Sequence, residues 1–231
     1  MISPEHDANR PAHVTRPYAL APLPPREALQ RAQEFDDLMA KRRSCRFFSD
    51  EPIDRRLLLR CIETANRAPS GANCQPWRFV VVDDPEIKRR IRIAAEQEER
   101  ESYARRMPPA WLAALHPIGT DWRKPFLEIA PCLVIIFRID WQEIDGERIK
   151  SYYPAESVGL AAGFFLVACH NAGLATLTHT PSPMGFLREI VKRPKNEKPF
   201  LLIPVGHPAK DAVVPDLPRK SVEDVTQFND G

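Results

Sequence analysis

Two short stretches concentrate the residue types that do chemistry. In KRRSCRFFSDEPI, residues 41–53, the side chains of Lys41, Arg42, Arg43, Ser44 and Arg46 crowd one connection. Guanidinium groups are permanently charged planar forks that match phosphate oxygens, and a neighbouring hydroxyl adds a donor. Bound phosphate is the chemistry implied; a solvated basic turn at a helix C-terminus is the plain alternative. In APSGANCQPW, residues 68–77, Pro69, Ser70, Gly71 and Asn73 form a loop of small residues before a strand. Such loops let backbone N–H groups approach a ligand closely, and the alternative is an ordinary turn.

Other reactive types carry less. Cys45 and Cys74 flank these stretches, yet nothing beyond nearby arginines marks either as a nucleophile. His170, inside FFLVACHNAG, reads as a buried or helix-end residue. His116 and His207 sit in proline-bounded loops without Cys or carboxylate partners at metal spacing, so no metal site is expected.

Regular elements must position these loops. Residues 1–24 carry Pro4, Pro11, Pro17, Pro22 and Pro24 with little apolar periodicity, which predicts an extended arm ahead of a single domain over 25–231. Leu29, Ala32, Phe35, Leu38 and Met39 recur at helical spacing, predicting a helix from Pro25 to Lys41. A second helix starts at an N-cap, Asp54, and ends near Arg67 because Pro69 follows. RFVVVDD, residues 78–84, reads as a buried strand. The long helix PEIKRRIRIAAEQEERESYARRM has an apolar face through Ile87, Ile91 and Ala95, then turns polar, and this second half is expected to face solvent or to be mobile. A loop with Pro108, Pro109 and Pro117 precedes the strand CLVIIFRID, residues 132–140. A polar connection leads to a buried helix in SYYPAESVGLAAGFFLVACHNAGL, closed by Gly173. LATLTHT and PFLLIPVGHP are the remaining strands. The alternation implies an α/β or α+β protein, a sheet covered by helices. No GxGxxG follows a strand, so a Rossmann dinucleotide site has no support.

A chain of 231 residues, 43% hydrophobic and 28% charged, suits one ordinary core. A formal net charge of +2 is too small to argue for nucleic acid or a membrane surface as partner. Five scattered cysteines without a CxxC pair fit a reduced, cytoplasmic protein. No apolar run approaches the roughly 20 residues of a membrane span, and the N-terminus lacks a secretory pattern.

RRSCRFF followed by APSGANCQPWRFVVV resembles the flavin-binding opening of the nitroreductase family. ERESYARRM, TDWRKPFLEIAP, NAGLATLTHTP and RPKNEKPFLLIPVGHPAKDAVVPDLPRK are similar, in order and spacing, to stretches of the iodotyrosine deiodinases within it, so the likeness covers roughly residues 26–225. The resemblance implies an α+β, three-layer fold with a mixed central sheet, an intertwined homodimer, and FMN at its interface. It assigns flavin contacts to Arg42, Arg43, Ser44, Cys45 and Arg46, to Ser70 from the other subunit, to Thr178, His179 and Thr180 by the ring, and to Arg219. Thr178 or Thr180, donating to flavin N5, would carry the catalytic role by favouring one-electron steps. Glu99, Tyr103 and Lys124 match the residues that bind a halotyrosine, and Ala72 the backbone donor to its phenolate. The spacing of Glu99 and Tyr103 puts both on one helix face, and a carboxylate plus an ammonium is the minimal set for a zwitterion. The electron donor implied is NAD(P)H or a reductase. His179 departs from the family's threonine run, and the SPMG stretch, residues 182–185, is dissimilar. A general nitroreductase or flavin-destroying enzyme on the same fold, or a non-catalytic flavin- or amino-acid-binding sensor, is the competing function.

Overall fold

The computed structural model describes residues 14–229, and the chain divides into two compact units, one ending at Leu38 and one beginning at Met39. Residues 1–13 of the expected arm lie outside the described residues, while 14–24 form neither helix nor strand. The first unit carries helix α1, Pro25–Ala40, which runs across the division. Pairs one turn apart, such as Arg31 donating to Glu27 at 2.6 Å and Gln30 to Glu34 at 2.8 Å, support it locally.

The second unit contains α2 (Arg55–Ala65), β1 (Trp77–Val82), α3 (Pro85–Glu101), α4 (Pro109–Leu115), α5 (Phe126–Ile129), β2 (Cys132–Ile139), β3 (Trp141–Ile144), β4 (Glu147–Lys150), α6 (Pro154–Asn171), β5 (Ala175–Thr176), α7 (Gly185–Ile190) and β6 (Glu197–Gly206). β1, β2, β6 and β5 form one sheet in that order. Every pairing among these strands is antiparallel, and the parallel component expected of a mixed sheet is confined, among the described residues, to the bridge between Ser44 and Thr176.

β2 organises the layers. Leu133 through Phe137 are fully buried, and side chains alternate across a strand. Val134 and Ile136 pack with α2 and α6 through Leu58, Cys61, Val158, Ala161 and Phe165. Leu133, Ile135 and Phe137 pack on the opposite face with Ile91 and Ala95 of α3, Leu127 of α5 and Leu187 of α7. Helices therefore cover both faces, the three layers that the resemblance implied. A bulge opposite Ile136–Phe137 inserts Phe200 into β6, so Phe200 and Leu201 both pack on the α2–α6 side.

Four expectations change. Asp54 caps α2 as predicted, accepting from the Arg56 N–H at 2.8 Å, but the helix stops at Ala65. The loop after Met107 contains helix α4, whose Pro109 sits at the first helical position where a missing N–H costs nothing. The polar connection after residue 140 folds into the β3–β4 hairpin, turned by Asp145 and Gly146 at φ 52° and 81°, a dipeptide suited to that turn. The strand expected over 174–180 is regular only at Ala175–Thr176 and resumes as a bridge between His179 and Leu202. Its register is kept, so the gap lies opposite Pro204, which has no N–H to give. Among the described residues no helix is long and apolar enough to cross a membrane.

Phe165 is fully buried and its ring lies 5.9 Å from that of Phe79. Phe165→Ala is expected to lower stability by about 3–5 kcal/mol through lost burial and a residual cavity. Chemical denaturation measures it: the midpoint should fall with little change in slope.

Candidate functional site

The basic stretch follows Ala40 as extended chain, tied to the sheet where the Cys45 N–H donates to the Thr176 carbonyl at 3.0 Å. Alternation then separates its side chains: Cys45 turns into the core, while Ser44 and Arg46 turn outward. Burial raises the Cys45 thiol pKa above its usual value, which makes it a poor nucleophile. Arg43, Ser44 and Arg46 line a cavity of about 260 Å³ closed by Thr178 and, from the C-terminal segment, Arg219. That segment is drawn in by Arg43, whose Nη1 donates to the Leu217 carbonyl at 3.2 Å. Burial lowers the Arg42 pKa, and the neighbouring charges of Arg219 and Arg43 lower it further. Among the described residues no carboxylate pairs with Arg42, Arg43, Arg46 or Arg219, so this cationic cluster is uncompensated by the chain itself.

A second cavity of about 240 Å³ shares Arg46, Leu177 and Thr178 with the first. Glu99, Tyr103, Lys124 and His179 line it, with Met107 and Trp111 supplying apolar surface. The polar half of the long helix is thus not uniformly solvent-facing as expected: Glu99 and Ser102 are buried. The helix changes character here, because Ser102–Arg106 forms a π turn, a widened coil common at functional sites. Lys124 is positioned by its loop. Glu96 of α3 accepts from the Lys124 N–H at 2.8 Å, and the Lys124 ammonium donates to the Asp121 carbonyl and to Thr120 Oγ1 at 3.3 Å. Tyr103 donates to the Thr120 carbonyl at 3.1 Å, closing the same loop over the cavity.

These charges face one another. Lys124 Nζ lies 3.6 Å from Glu99 Oε2, and His179 Nε2 lies 4.0 Å from Glu99 Oε1. Burial raises the Glu99 pKa against the opposing pull of Lys124, and burial lowers the Lys124 pKa against that of Glu99. Burial also raises the Tyr103 pKa, with Glu99 adding to it. His179 is pushed down to about 3 by burial, then by Lys124 and Arg46, so its imidazole is neutral at physiological pH.

Of the residues singled out in the sequence, Thr178 and Thr180 are exposed hydroxyls on the rim, and His179 points inward. Ser70 and Ala72 line neither cavity. Their loop is strained, with Ala72, Asn73 and Gln75 at φ 48°, 55° and 47°, a conformation that side chains disfavour. Gly71 approaches the Tyr152 carbonyl so closely that a Cβ there would lie 2.7 Å from its oxygen. The Gly71 N–H donates to Ser157 Oγ at 3.3 Å, and Gln142 Nε2 to the Cys74 carbonyl at 3.1 Å. Strained backbone of this kind clusters at functional sites. Sequence reasoning missed Glu96, Thr120 and Trp111, which carry no motif; only the α4 signal, a proline opening an apolar run, was available for the last.

The neutral, buried His179 makes stability depend on pH. Its folded pKa of about 3 lies below the ordinary 6.5, so the unfolded chain binds the extra proton in that window. Stability is present above pH 6.5 and is lost as pH falls toward 3, by on the order of a few kcal/mol. Glu99, with a raised pKa, acts with the opposite sign and is present in both wild type and H179F. Unfolding free energies measured at pH 7 and pH 4 on flavin-free protein should differ more in wild type than in H179F.

A family model described as the nitroreductase family matches residues 39–207. Iodotyrosine deiodinase of Haliscomenobacter hydrossis is 54% identical over 91% of this chain and 95% of its own length. Human iodotyrosine deiodinase 1 is 42% identical over 90% of this chain and 73% of its own length. The crystal structure of oxidized iodotyrosine deiodinase bound to FMN and 3-iodo-L-tyrosine superposes with a TM-score of 0.75 at 32% identity, covering 84% of this chain and 98% of that one. With its layers, its paired cavities and these likenesses, the chain belongs to the nitroreductase family and groups within it with the iodotyrosine deiodinases.

Proposed function

We propose that this protein is an FMN-dependent reductive dehalogenase that converts 3-iodo-L-tyrosine and other halotyrosines to tyrosine and halide. The observation that carries this reading is the juxtaposition of a buried Glu99–Lys124 pair with an uncompensated arginine cluster across the shared wall of Arg46 and Thr178. The cluster fits the cofactor: permanently charged guanidiniums without carboxylates, beside the Ser44 hydroxyl, suit a phosphate dianion. Arg42, Arg43 and Arg219 would hold that phosphate, Ser44 and Arg46 the adjoining chain, and Thr178, His179 and Thr180 would lie by the ring. When bound, FMN supplies the electrons, two of which together with a proton replace the carbon–halogen bond by carbon–hydrogen.

The chain's own residues choose and hold the substrate. Glu99 takes the ammonium and Lys124 the carboxylate of the amino acid, so the mutual attraction of the pair is exchanged for two charge-assisted contacts in a site with little water. Tyr103 and the π turn close over the ligand, and Trp111 and Met107 cover its ring. Thr178 and Thr180 present hydroxyl donors toward the reacting region. Ser70 and the Ala72 N–H reach the site from the partner subunit, which makes the working unit a homodimer. Its strained loop suits that role, because small residues allow close approach. An NAD(P)H-linked donor or a reductase supplies reducing equivalents in the cell, and the reaction belongs to the cytoplasm.

Two measurements test the assignment. Purified, dithionite-reduced protein should release iodide from 3-iodotyrosine, and E99Q and K124A should each lower kcat/KM by about 10–100-fold, the cost of a lost charge-assisted contact. No release from yellow protein would move the assignment to general nitroreductase chemistry. Separately, R43A and R219A should each raise the Kd for FMN by about tenfold or more, measured by titrating flavin into apoprotein.

A further inference from the structure

Resting on that reading of the site, we propose that His179 is a positioning residue for Glu99, its Nε2–H steadying the carboxylate that meets the ligand's ammonium. His179 stands at the floor of the substrate cavity with its side chain 9% exposed, and Nε2 has no hydrogen-bond partner among the described residues. A buried donor left unpaired is costly, and the nearest anion is Glu99 Oε1 at 4.0 Å. The other carboxylate oxygen, Oε2, is the one facing Lys124, at 3.6 Å.

Which partner would move follows from how each is held. The backbone of His179 is paired in both directions with Leu202 of β6, at 2.9 and 3.0 Å, and its ring meets Phe126 edge-on at 5.8 Å. The imidazole is therefore anchored to the sheet. Glu99 lies near the end of α3, where the α-helix gives way to the π turn, and its carboxylate meets Lys124 only at 3.6 Å, longer than a good charge-assisted hydrogen bond. The charged groups facing the imidazole are Glu99 from α3, Lys124 from the loop before α5, and Arg46 from the segment after α1. Burial first, and then the two cations, keep the ring neutral. A neutral ring beside a carboxylate carries its proton on Nε2, since a lone pair turned toward an anion would repel it.

The need for this donor arises on binding. With the cavity empty, Lys124 compensates Glu99; with an α-amino acid present, the ligand carboxylate competes for Lys124. A small shift of Glu99 toward Nε2–H then replaces part of that compensation and keeps the carboxylate ionised. The effect is specific to ligands that carry the amino-acid charges, because a ligand with neither an ammonium nor a carboxylate leaves the Lys124–Glu99 pair as it is. His179 thereby sharpens selection for amino acids over simple halophenols.

The test uses full-length, FMN-loaded protein and two ligands, 3-iodo-L-tyrosine and 2-iodo-4-methylphenol, which lacks both the ammonium and the carboxylate. H179Q can place an amide nitrogen near the Nε2 position, H179N falls short of it, and H179F fills the space without a donor. Binding is followed by flavin fluorescence and scored per loaded site. H179N and H179F should weaken iodotyrosine binding by about tenfold, H179Q should recover most of that loss, and the halophenol should change by less than about threefold. In H179F the acid limb of iodotyrosine binding should move to higher pH, because Glu99 without the donor protonates more readily. Equal losses for both ligands, or wild-type binding in H179F, would overturn the positioning role while wild-type iodide release leaves the dehalogenase reading standing. Wild-type protein that neither releases iodide nor prefers the zwitterion would overturn both.

Discussion

A strand buried on both faces is the constraint from which the second unit follows. Leu133–Phe137 leaves no side chain in water, so apolar cover is required on each side of the sheet. α2 and α6 supply one layer, and α3, α5 and α7 the other. Every site element is then a by-product of that packing. α3 is held by Ile91 and Ala95, which fixes the direction in which Glu99 leaves its last turn. α6 ends at Gly173, φ 75°, where the Leu174 N–H donates back to the Cys169 carbonyl at 2.9 Å and turns the chain into β5. That turn brings Thr176 against Cys45 and delivers Thr178 to the wall between the cavities.

The polar chemistry sits where this apolar framework loosens. Two sources of unmet charge lie side by side: arginines with no carboxylates, and a carboxylate, an ammonium and a neutral imidazole with little solvent. Buried charges are tolerated only when paired, and here the pairs are incomplete or long. The Glu99–Lys124 distance of 3.6 Å exceeds a good charge-assisted hydrogen bond. An apolar replacement would pack better and bind nothing. Stability is given up at the site and recovered in the layers beneath it.

The closing elements join polar contacts to the apolar surface of Met107 and Trp111. Tyr103, Thr120 and Lys124 form a small hydrogen-bonded network between the π turn and the 120–124 loop, with Glu96 holding the loop from below.

The amino-acid sequence by itself determined the elements and their order wherever local physics decides. The Asp54 cap, the buried run of β2, the apolar α6 and its terminal glycine were all legible, because caps, burial and left-handed turns are set by neighbouring residues. The arginine cluster was legible as phosphate chemistry, since guanidiniums mean much the same in any context. Glu99, Tyr103 and Lys124 were different: bottom-up, they belonged to a charge run and a surface loop, and only likeness to a family marked them. Tertiary structure decided that Glu99 is buried, that Glu96 and Thr120 hold the clamp, that α4 lends Trp111 to its cover, and that His179 points inward. These outcomes depend on contacts between segments far apart in the chain, and on the interruption opposite Pro204, so no periodicity within one segment encodes them.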